Sequence, residues 1–155
     1  MTNQKQPNSK SCFVCGVENL SGLHLKFYNT APGEVTAEIV VPEQFQGYPG
    51  IVHGGVVAAM LDETAGRAHM RGDPPRWMVT AQLNVRYRKP VPVGQPLRIV
   101  GHAGELKGRV GKAHGEIYGP DGTLLAEAEM VVVDMPDHLL AGADIEALGW
   151  KVYPD

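Results

Sequence analysis

The sequence is poor in cysteine, in charge and in long apolar runs, and each shortage excludes something. Among 155 residues there are two cysteines, 20% charged residues and a net charge of −3. Cys12 and Cys15 form one C-x-x-C, which invites a redox or zinc reading, but a closed zinc site takes four ligands and no second Cys pair exists. His24 is the nearest further ligand by spacing. The expectation is two reduced, half-buried thiols and no metal site. A pI near 6.0 leaves no basic footprint for nucleic acid. No apolar run approaches the roughly 20 residues of a membrane span. The polar start MTNQKQPNSKS has no apolar signal segment, so a cytoplasmic protein is expected. There is no G-x-S-x-G nucleophile motif.

Glycine is abundant instead: 19 residues, with 12 prolines, where average usage gives about 11 and about 8. A hydrophobic fraction of 43% argues against disorder, and the glycines follow no three-residue period, which excludes collagen. The length suits one domain that buries roughly 70% of its unfolded surface. The expected organisation is a flexible N-terminal tail over 1–11, the main domain over 12–134, and an extension over 135–155. That extension packs on the body with a short helix from Asp144.

Leu23, Leu25 and Phe27 alternate with polar neighbours, and a turn at Pro32-Gly33 leads into Val35–Val41, which together read as a hairpin. Residues 42–52 are a loop. A helix over 53–68 places Val57, Met60, Leu61, Thr64, Ala65 and Ala68 on one apolar face, and Gly72-Asp73-Pro74-Pro75 stops it. Four strands follow: Trp77–Arg88, Gln95–Glu105, Arg109–Tyr118 and Thr123–Asp134. In the first, Val79, Ala81, Leu83, Val85 and Tyr87 suit a core, whereas Thr80, Gln82, Asn84, Arg86 and Arg88 suit a subunit interface. The order implies an α+β fold with one long helix on an antiparallel sheet of about six strands. One helix cannot cover such a sheet, so self-association is expected.

The chemistry concentrates at Gly50-Ile51-Val52-His53-Gly54-Gly55, at the helix entrance. A helix start leaves N–H groups unpaired and carries partial positive charge. Two glycines there let a carbonyl oxygen approach the Gly54 or Gly55 N–H. Further along, Asp62 shares a stripe of small residues with Gly55, Ala58, Ala59 and Gly66 and has no cation four residues away. Glu63 has Arg67 at i+4, the order of a solvated surface ion pair. Asp62 is therefore the candidate functional carboxylate.

The stretch Phe45–Gly55, with Asp62 nine residues after His53, resembles the hotdog-fold acyl-CoA thioesterases. It is most similar to the phenylacetate-pathway type within the 4-hydroxybenzoyl-CoA thioesterase superfamily. Cys12–Gly16, Gly22–Leu25, Val79-Thr80 and Tyr87–Pro92 extend the resemblance over about residues 12–134. It implies Asp62 as general base or nucleophile, the Gly54 N–H polarising the thioester carbonyl, His53 shaping the helix start, and Thr80 helping to hold water. Gly47 stands where some members carry Asn, with Gln46 the nearest substitute, and Gly55 borders the substrate. The resemblance further implies a homodimer or dimer of dimers with sites between subunits. It implies no cofactor, CoA being part of the substrate. Arg86, Arg88 and Arg109 are the candidates for its phosphates. The alternatives are a non-catalytic acyl-CoA-binding module of the same fold and a hotdog hydratase, for which the helix offers only His69 beyond Asp62. The acyl group is not legible.

Overall fold

A computed structural model describes residues 3–72 and 74–155; Met1, Thr2 and Asp73 lie outside the described residues. The elements in chain order are β1 (Gln4–Lys5), β2 (Tyr28–Ala31), β3 (Glu34–Val40), α1 (Gly54–Gly66), β4 (Met78–Tyr87), β5 (Pro96–Lys107), β6 (Val110–Tyr118), β7 (Leu124–Asp134) and α2 (Asp137–Leu140). The strands form one antiparallel sheet of seven, in the order β1-β2-β3-β5-β6-β7-β4. Among the described residues no helix is long and apolar enough to cross a membrane.

The helix forms where the apolar period places it, and it buries the face that period defines: Val57, Met60, Leu61, Thr64 and Ala65, with Ala68 in the 3-10 turn beyond. Each large side chain among these contributes about 1.5–3 kcal/mol on burial. The sheet receives the helix closely because β5 and β6 carry glycine beneath it. A Cβ on Gly101 would lie 2.4 Å from the Thr64 carbonyl oxygen, so only glycine permits this approach. Ile99, Ala113, Ile117, Ala126, Ala128 and Met130 complete the same core.

Three expectations need correction. Of the expected tail over 1–11, the described residues 3–11 are docked rather than flexible. β1 pairs with β2, and Gln6, Asn8 and Ser9 are buried. Polar side chains go inside because they meet partners there: the Asn8 amide donates to the Cys15 and Leu25 carbonyls at 2.8 Å each. Residues 23–27 keep the expected alternation of burial but lie outside the sheet ladder. Their backbone bonds go to the N-terminal loop, as from Leu25 N–H to the Val14 carbonyl at 2.9 Å. In the C-terminal extension the four-residue helix is α2. From Asp144 there is only a turn, closed by Leu148 N–H on the Asp144 carbonyl and followed by Gly149 at φ 75. Trp150 returns the extension to the body, edge to face with Trp77 at 4.9 Å.

β4 is an edge strand, with β7 on one side and, among the described residues, no strand on the other. Its register shifts between Thr80 and Gln82, which leaves Ala81 as the extra residue of a β-bulge. Ahead of the bulge the faces are the reverse of those that simple alternation gives, and from Gln82 onward they are as expected. Thr80 lies opposite Val132, Leu83 opposite Met130 and Val85 opposite Ala128, so all three face the helix side. Val79 and Gln82, opposite Val133 and Val131, face away.

Candidate active site

The α1 entrance is built by the loop before it. Phe45 O accepts the His53 N–H at 2.9 Å and Gly47 N–H donates to Ile51 O at 2.8 Å. Gly47 lies against His53, where a Cβ would sit 3.3 Å from its Cα. Gln46 is spent on the same loop, its Oε1 accepting the Gly50 N–H at 3.1 Å. Through that bond it braces the loop.

His53 is the N-cap, and its Nδ1 accepts the Gly55 N–H at 2.9 Å. This bond distinguishes the two glycines at the helix start. The Gly55 donor is taken; among the described residues the Gly54 N–H has no acceptor. A free donor at the positive end of a helix is a site for an oxyanion. Gly54 is fixed from below by Tyr87, whose hydroxyl donates to the Gly54 carbonyl at 2.6 Å. Tyr87 is the site residue that the sequence did not reveal, since alternation makes it one more core position of β4.

A cleft of about 730 Å³ opens beside Gly54, walled by Ile51, Val57 and Val91 with Arg88 and Lys89 on its rim. Arg88 is tied to Glu127 at 3.1 Å, and Arg86 pairs in register with Glu127. Arg109 is elsewhere. It lies in the β5–β6 turn, near Asp134 and the Met78 end of β4, roughly 30 Å along that strand from Arg88 at 3.3 Å per residue. One chain does not bring the three candidate CoA cations together.

Asp62 sits two turns beyond Gly54, and Thr80 Oγ1 donates to its Oδ1 at 2.7 Å. The Ala81 bulge is what turns Thr80 towards it. A hydroxyl donor on one carboxylate oxygen stabilises the anion and leaves Oδ2 to act on water or on a carbonyl carbon. Eight residues of helix separate Asp62 from Gly54, about 12 Å of rise, so the carboxylate and the free N–H of one chain cannot meet at one carbonyl group.

Glu63, one residue on, is not the solvated surface acid expected. It pairs with Arg67, whose Nη2 is 3.0 Å from Oε1, but that guanidinium is 2% exposed and lies 4.1 Å over the Phe27 ring. Arg67 also donates to the Pro7 carbonyl at 2.7 Å. Burial pushes the Glu63 carboxyl up to about 7, against the opposing pull of Arg67. The two thiols lie beside it. The Cys15 thiol, hydrogen-bonded to Cys12, holds Cys12 down at about 6, while that same bond and burial raise Cys15. His24, the third ligand suggested by spacing, is exposed and bonded to the Asn19 carbonyl.

Residues 49–126 match the family model of the thioesterase superfamily. The chain belongs to that superfamily. Its helix-wrapped antiparallel sheet is the family's hotdog fold: a thioesterase superfamily protein of known structure superposes with a TM-score of 0.73 at 33% identity, covering 79% of this chain and 60% of that one. Acyl-coenzyme A thioesterase THEM4 of Rattus norvegicus is 33% identical over 92 residues, 59% of this chain and 39% of that protein. The chain thus spans well under half of that relative's length. A Streptococcus mutans protein crystallised with acetyl CoA shares the fold, with a TM-score of 0.65 at 19% identity over 72% of this chain and 88% of that one.

Proposed function

We propose that this thioesterase-superfamily chain hydrolyses acyl-CoA thioesters at sites shared between two copies, as a cytoplasmic homodimer or dimer of dimers. The observation that carries the reading is the separation on α1 of a hydroxyl-supported carboxylate from a free N–H donor, by about two turns of helix. β4 is an unpaired edge with Thr80 near one end and Tyr87 at the other. Antiparallel pairing of two such edges about a two-fold axis sets the Thr80 end of one copy against the Tyr87 end of the other. Asp62 of one copy then faces Gly54 of its partner, and Arg109 of the first joins Arg86 and Arg88 of the second around one CoA.

In that arrangement the Gly54 N–H polarises the thioester carbonyl and stabilises the oxyanion. The Asp62 carboxylate either draws a proton from water as it adds to the acyl carbon, or attacks that carbon itself to give an anhydride that water then hydrolyses to the free acid. The C–S bond breaks, and CoA leaves as a thiolate that takes up a proton. CoA enters as part of the substrate, and no cofactor is needed. The hydratase reading loses its histidine, because His69 is buried with Nε2 2.7 Å from the Lys112 carbonyl.

Thiol release across acyl-CoAs of graded chain length, run beside calorimetry of their binding, tests the reading. Turnover lost in Asp62→Asn supports it. Binding of CoA esters with no thiol released from any of them makes the chain a carrier instead.

A further inference from the structure

We propose that Cys12, Cys15 and Glu63 form a binding site for one soft divalent cation, zinc by its chemistry, behind the catalytic face of α1. The ligand atoms of these three residues all lie within 4.8 Å of one another. Tetrahedral zinc with Zn–S bonds of about 2.3 Å holds neighbouring sulfurs about 3.8 Å apart, so a small contraction closes the site.

The backbone around the thiols is already shaped for this. Cys12 Sγ accepts the Val14 N–H at 3.4 Å, and Gly16 N–H folds back onto the Cys12 carbonyl at 2.8 Å. The turn is so tight that a Cβ on Gly16 would lie 2.3 Å from that carbonyl oxygen. N–H groups aimed at sulfur favour thiolate, the form that ligates. Cys15 is fully buried and Cys12 partly so, which places the metal at the edge of the core with its fourth position outward, for water.

The third ligand is oriented from behind. Arg67 Nε and Nη2 both donate to Glu63 Oε1, at 3.1 and 3.0 Å, and leave Oε2 to the cation. A bond from a second-shell donor that fixes a ligating carboxylate is usual at metal sites. The charges also balance: two thiolates and a carboxylate against one guanidinium leave two negative charges, the complement of one divalent ion. Thiolate ligands select zinc over magnesium or calcium. The site would fasten the N-terminal loop to α1, and it stands independently of the thioesterase reading.

The test uses the full chain, metal-stripped, with both thiols confirmed reduced by titration. Cobalt(II) is added first, then zinc in competition. The expected result is one equivalent bound, with the near-ultraviolet sulfur-to-cobalt charge-transfer band, and its displacement by zinc. Cys12→Ser with Cys15→Ser loses the band, and Glu63→Gln weakens binding by roughly tenfold or more. Zinc raises the Tm of the wild-type chain and not of the double variant. No uptake by the reduced chain overturns the proposal, as does equal uptake by the double cysteine variant.

Discussion

Asp62 and Glu63 are neighbours in sequence and opposites in environment. Asp62 points to the open edge of the sheet, where one hydroxyl from β4 holds one of its oxygens. Glu63 points inward, clasped by a buried arginine and two thiols. A rotation of 100° about α1 separates a carboxylate kept available from one built into the fold. The difference comes from what covers each face: a single edge strand on one side, and on the other the N-terminal loop fastened through Arg67, Gln6 and Asn8.

Substitutions on the two faces should therefore separate activity from stability. Asp62→Asn has the largest effect, a loss of about 10²–10⁴-fold in thiol release, with a Tm close to wild type. Arg67→Met does the reverse. Removing one partner of a buried pair costs about 3 kcal/mol, read as a lower denaturation midpoint, while the turnover of the folded fraction is retained. Thr80→Val removes a hydrogen bond to a charged group, worth about 1.5–3 kcal/mol, and lowers kcat by roughly tenfold or more with little change in stability. Tyr87→Phe is the mildest, about 1 kcal/mol divided between the stability of the helix entrance and turnover, measured by parallel melts and kinetics.

The apolar stripe of α1 and the four long strands after it were legible in the sequence, because period and turn residues are local signals. Asp62 stood out through its small-residue stripe and its lack of a cation. The bulge at Ala81 was not legible. Alternation along β4 is unbroken, and an extra residue exists only relative to the partner strand β7. That shift decides which face Thr80 joins. Glu63 and Arg67 sit at the spacing of a surface pair, and nothing in that spacing says that residues 6–15 fold over them. The polar run before Cys12 reads as a tail until Gln6 and Asn8 find the carbonyls that let them be buried. The choice between the Gly54 and Gly55 donors rested on where the His53 Nδ1 turns, a torsional detail that the Gly-Gly pair leaves open.

The central claim is that Asp62 of one copy works with Gly54 of another, and complementation between two inactive variants tests it most directly. Gly54→Val should impair turnover more than folding, because a Cβ there makes only an ordinary 3.5 Å contact with Tyr87 while the side chain obstructs the free N–H. Asp62→Asn and Gly54→Val, each inactive alone, are co-expressed with different tags and the mixed dimer is purified. Each mixed dimer should contain one intact site and one doubly broken site, giving roughly half of wild-type thiol release per dimer. A mixed dimer that forms and remains as inactive as either parent contradicts the shared site.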